Sequence, residues 1–164
     1  MVLFSTSAIG FVAGEKKKQR IKELKELMVH MKVLYGEIEY GRTALPEVMR
    51  IVANRNQGDM TGFFKAVSKE LCGITAEPLS MIWNRCMKTE LSTASLNKKD
   101  WILLEGLGEN LGFLDQKMQL TTIGHYMINL EEAIKEAMDE VKEKVRLYQS
   151  LGILFGIFIV IVMV

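Results

Sequence analysis

The chain has 164 residues, with 21 Lys plus Arg against 20 Asp plus Glu. The resulting net charge of +1 gives no general attraction to phosphate and excludes a basic nucleic-acid-binding domain. Two Cys and two His are too few and too scattered for a disulfide framework or a zinc signature.

The charges are unevenly placed: none precedes Glu15 and none follows Arg146. The first apolar run, 1–14, would span roughly 21 Å as a helix and has three hydroxyl residues in its middle, Ser5, Thr6 and Ser7. By itself it is a weak span, expected to be partly embedded or to be the remainder of a segment that begins a few residues earlier. Its basic residues follow the apolar stretch instead of preceding it, which argues against an exported signal peptide.

Lys16, Lys17, Lys18, Arg20, Lys22 and Lys25 come next and are expected to stay on the cytoplasmic side, within reach of anionic headgroups. From Lys16 to Tyr40 the apolar residues Ile21, Leu24, Met28, Met31, Tyr35 and Ile38 alternate spacings of three and four, which predicts one amphipathic helix. Gly41 stops it. Thr43, with Pro46 in the first turn, opens a second helix to about Asn54. After the turn at 56–59, Thr61 is the expected cap of a third helix through Leu71, and Gly73, Thr75 and Pro78 separate it from a fourth through Leu91. Asn97 is expected to cap a fifth helix that ends near Gly106 and Gly108.

The last helix begins near Asp115. Leu120, Ile123, Met127, Leu130, Ile134, Ala137 and Val141 form its stripe, with Gly124 as the weak point. No Pro interrupts it before Val164, so it is expected to run on into the second apolar segment, 147–164, roughly 27 Å long and able to cross a bilayer. Lys142, Lys144 and Arg146 flank that segment on the cytoplasmic side. Strand-like alternation with hairpin turns is absent from the sequence.

These elements predict an all-α fold. It is a six-helix bundle over 15–146 with membrane-embedded ends at 1–14 and 147–164, and its first and last helices are long, antiparallel and packed together.

Chemistry is sparse. His30, Cys72, Cys86 and His125 have no ligand spacing, and the glycines at 106, 108 and 112 do not match a dinucleotide loop. Glu131 and Glu132 point in different directions from a helix, so no catalytic, cofactor or metal residue is assigned. Two features suggest interaction instead. Gly152 and Gly156 form a GxxxG that allows close helix packing, with the first span or with another copy. The turn carrying Glu37, Glu39, Tyr40, Gly41, Arg42, Thr43, Leu45, Pro46 and Glu47 mixes charge, an aromatic ring and a rigid bend on an exposed corner, and is the candidate partner interface. The alternative is a turn whose apolar residues only plug the bundle.

Residues 36–48 (GEIEYGRTALPEV), 107–116 (LGENLGFLDQ), Gln119 and 144–152 (KVRLYQSLG) give the chain an order of features that resembles the stage III sporulation protein AB family of endospore-forming bacteria. The resemblance runs almost end to end, with 55–100 matching only in layout and the N-terminal span shorter than the family's. It implies a membrane-held helical cytosolic domain similar to the cytoplasmic domains of the F protein of type II secretion and type IV pilus systems. It also implies a place on the mother-cell side, in the outer forespore membrane, within the channel complex that joins mother cell and forespore. The expected partners are membrane lipid, the other channel subunits and the family's sister AA protein, a secretion-type ATPase; nucleic acid is not expected. No catalytic residue or cofactor is implied. The rival readings are a homo-oligomeric membrane scaffold and a membrane-anchored small-molecule receptor or enzyme.

Overall fold

A computed structural model of the chain describes the backbone of residues 2–41, 43–55, 57–73, 77–112 and 115–163, with side chains from 14 to 143 within those stretches and at 147. Six helices follow in order: α1 (Val2–Tyr40), α2 (Leu45–Arg55), α3 (Thr61–Leu71), α4 (Leu79–Glu90), α5 (Lys98–Leu111) and α6 (Gln116–Met163). The described residues contain no strand. Each helix packs on the next in sequence, and α6 closes the ring on α1.

The two long helices are antiparallel and packed together, as expected. Gln116 at the start of α6 donates to the Ile38 carbonyl at the end of α1 (2.6 Å), whereas Lys17 near the start of α1 meets Glu140 far along α6 (2.5 Å). With 39 and 48 residues, α1 and α6 extend about 58 and 72 Å. Helix α1 therefore does not begin at Lys16: it is one unbroken helix from Val2, in a stretch without Pro.

The core stripe of α1 is rotated relative to the predicted one. Leu24, Leu27, Met31, Leu34 and Ile38 are fully or almost fully buried, while Ile21, Met28 and Tyr35 pack at its edge. On α6 the buried positions are Ile123, Tyr126, Leu130, Ala133 and Ala137, with Leu120, Met127 and Ile134 partly buried beside them. Sequence spacing locates the apolar side of a helix; which residues sit deepest is decided by where the neighbours stand.

The centre of the bundle is aromatic. Phe63 meets Trp83 edge-on at 4.8 Å and Phe64 at 4.9 Å, and the His30 ring stacks on Phe64 at 4.5 Å. Trp83 Nε1 donates to the Leu104 carbonyl of α5 (2.9 Å), so the indole lies against that helix. Gly108, one turn on, makes the approach possible: a Cβ there would stand 2.2 Å from Trp83 Cγ and Cδ1. Gly106 and Gly108 thus lie inside α5, which runs to Leu111 with Gly112 as its C-cap, and are not the expected helix-to-helix turn. Asn97 is the predicted cap, in a reciprocal box with Asp100. Thr61 is not a cap; it is the first residue of α3 and is buried, with Met60 preceding it. Pro78 precedes α4, and Thr75 lies outside the described residues.

Candidate partner-docking site

At the pole where α1 ends, Tyr40 is 87% exposed and Glu39 stands beside it, its charge raising the phenol pKa. Gly41 N–H donates to the Glu37 carbonyl (3.0 Å), and a Cβ on Gly41 would come within 2.3 Å of that oxygen. The corner requires glycine for this close approach.

Of the predicted interface residues, Glu37 is half-buried and paired with Arg55 of α2 (2.9 Å). Glu47 accepts two bonds from Arg50 (2.7 and 2.5 Å), which hold its carboxyl pKa down. Leu45 packs against the core, as the plug reading has it, and Pro46 is half-buried beside it. Glu39 is exposed, and Arg42 lies outside the described residues.

Beside this corner runs a cleft of about 520 Å³ between α1 and α2, lined by Val29, Lys32, Val33, Gly36, Tyr40 and Arg55 among others. Val29, Val33, Gly36 and Tyr40 recur at four, three and four residues, a second stripe along α1 that runs from exposed Val29 and Tyr40 to Val33 at the edge of the core. That spacing was the signal for the cleft, hidden because the core stripe has the same period. A Cβ on Gly36 would touch nothing within 4 Å, so the floor of the cleft is open.

The basic flank divides. Lys16 and Lys18 are exposed and Lys17 is half-buried against Glu140. Arg20 does not face solvent: it shares the angle of Leu24, Leu27 and Met31, and its guanidinium grips Asp100 through two bonds of 2.7 and 2.9 Å, with both side chains buried. Expecting Arg20 among the headgroup-facing residues is thus corrected; its charge is spent inside the bundle, where Asp100 keeps the guanidinium pKa above its usual value. One turn away, buried Glu23 accepts from Ser95 N–H (2.7 Å) and Gln19 (3.1 Å), tying α1 to the loop before α5, while burial pushes its carboxyl pKa up. Lys144, Arg146, Gly152 and Gly156 have side chains outside the described residues, although the backbone of α6 is helical through all four.

Elsewhere, His30 is buried with Nδ1 on the Glu26 carbonyl (2.7 Å) and Nε2 without a partner, and burial lowers its pKa. Cys86 is buried, its thiol pushed up to about 12, while Cys72 and His125 are exposed. Among the described residues, no group of three or more His, Cys, Asp and Glu is placed to hold a metal ion, and no helix is long and apolar enough to cross a membrane. Apart from Gly14 and Leu147, the two apolar ends fall outside the described side chains.

A family model described as Stage III sporulation protein AB matches residues 1–164. Stage III sporulation protein AB of Bacillus subtilis (strain 168) is 24% identical over 162 residues, covering 99% of this chain and 94% of its own length. A solved structure of stage III sporulation protein AB superposes with a TM-score of 0.69 at 25% identity, covering 76% of this chain and 97% of the other.

Proposed function

Since the chain belongs to the stage III sporulation protein AB family, we propose that it is a non-enzymatic, membrane-anchored component of the channel complex between mother cell and forespore. In this reading both apolar ends enter the same membrane on the mother-cell side and the far pole docks the AA-type ATPase, while the spans, helped by Gly152 and Gly156, join the other channel subunits. The observation that carries it is the antiparallel pairing of α1 and α6. It puts the uncharged beginning of one helix and the uncharged end of the other at one pole, and the corner with Tyr40 at the opposite pole. Lys16 and Lys18 stand where headgroups would meet them.

The corner suits a protein partner. An exposed aromatic, an adjacent cleft floored by Gly36 and charged side chains at the rim supply an anchor and its polar surround. Full-length chain in lipid nanodiscs is expected to bind the purified AA-type ATPase, and Tyr40→Ala with Arg42→Glu to weaken that binding by about tenfold or more. Helical circular dichroism and melting temperature should stay unchanged, since Tyr40 lies outside the core. Undiminished binding by the folded variant would remove the corner from the interface.

A further inference from the structure

The outward faces of the two long helices carry opposite charge at the same heights. On α1 the exposed residues Lys18, Lys22 and Lys25 recur at four and three residues, and Val29, 47% exposed, continues the ribbon. On α6 the exposed residues Glu132, Glu136 and Asp139 recur at four and three, and Ile128, 57% exposed, precedes them on the same side. The ion pair between Lys17 and Glu140 fixes the register of the two helices. Counting outward from it, Lys18 is level with Asp139, Lys25 with Glu132 and Val29 with Ile128, while Lys22 and Glu136 agree to within a residue.

We infer that copies of this chain associate side by side, the α1 ribbon of one docking on the α6 ribbon of the next. The occupant of each ribbon is a second copy, because charge and apolar residue find their complement at every level without any shift along the helix axis. That absence of shift is what a common membrane imposes on neighbours anchored by the same ends, so the inference rests on the anchoring proposed above. The contact is heterologous, since each copy offers a different ribbon to each side, and such contacts build rings or open rows.

Existing partners do not block it. Lys22 is held by Asp59 (2.8 Å), Glu136 by Lys99 (3.9 Å) and Asp139 by Lys142 (3.6 Å), all exposed pairs that rearrange at little cost. Of the opposite charges nearby, Glu26 accepts from Met60 N–H (3.2 Å) and stands 3.8 Å from Lys22, a second and longer pair for that lysine, while Lys17 is turned toward Glu140. Glu15 and Lys135 lie beside the ribbons and are exposed.

The test uses full-length chain in proteoliposomes, with Cys72→Ser and Cys86→Ser, as a mixture of Val29→Cys and Ile128→Cys molecules. A disulfide between the two species is expected under mild oxidation, with neither species giving comparable dimer by itself. Reversing one ribbon (Lys18→Glu, Lys22→Glu, Lys25→Glu) should cut the yield about tenfold. Adding Glu132→Lys, Glu136→Lys and Asp139→Lys in the same chain should restore linking between swapped molecules but not to native ones, a selectivity that misfolding cannot imitate. Vesicle flotation of the same samples reads anchoring separately. Chain that floats without forming the mixed disulfide, or forms it regardless of charge reversal, overturns the ribbons alone. Chain that does not float overturns the anchoring and the shared height with it.

Discussion

Asp100→Ala is expected to lower the unfolding free energy by about 3–5 kcal/mol, measured by urea denaturation of the full chain in mild detergent. The carboxylate has two tasks. It accepts both bonds of the Arg20 guanidinium and, through Oδ2, the Asn97 backbone N–H (2.9 Å) at the start of α5. Its loss strands a buried cation between α1 and α5 and removes half of a capping box, itself a contribution of about 1 kcal/mol. A domain of this size has only about 5–15 kcal/mol in hand, so the variant should be marginal. Arg20→Met with Asp100→Asn should cost clearly less than the two single losses added together. Neither position of the pair then leaves a charge buried, and the Asn97 side chain still caps residue 100 through its N–H. Simple additivity would mean that the pair does not act as a unit.

Gly108→Ala is expected to be nearly as damaging, by about 3 kcal/mol. The new methyl group would occupy the space of the Trp83 ring, 2.2 Å from Cγ and Cδ1 and 2.7 Å from Nε1. The ring is fully buried, edge-on to Phe63 and bonded to Leu104, so it has no free direction in which to move. Gly106→Ala supplies the control. It is two residues away in the same helix, yet its Cβ would meet nothing within 4 Å. There the gain in helix propensity should leave stability unchanged or raise it by up to about 1 kcal/mol. Equal effects at the two glycines in a thermal melt would contradict the packing described for Trp83.

These two positions mark the boundary of what the sequence makes legible. The six helices, their order and the pairing of the first with the last follow from stripes of period near 3.6, from Gly and Pro breaks and from the Asn97 cap, all local signals. Gly106 and Gly108 read as a turn because glycine is the commonest breaker; only the neighbouring helix, carrying Trp83, shows that one of them is a packing requirement. Arg20 reads as one more cation in a basic run, since nothing within α1 announces a carboxylate eighty residues away. At the candidate site the exposed corner at Tyr40 is legible from composition, whereas the cleft beside it needs α2 in place, and Leu45 turns inward because the core has room for it.

The central claim is that both apolar ends lie in one membrane with the bundle on the cytoplasmic side, and cysteine labelling of the full chain expressed in intact vegetative cells, where the far face of the membrane is open to the medium, tests it most directly. In a Cys72→Ser, Cys86→Ser background of the full chain, Met163→Cys should react with an impermeant maleimide added outside. Thr43→Cys, at the exposed corner, should react only after the membrane is opened. Labelling of both positions only after lysis, with the chain leaving the membrane fraction without detergent, would contradict the account.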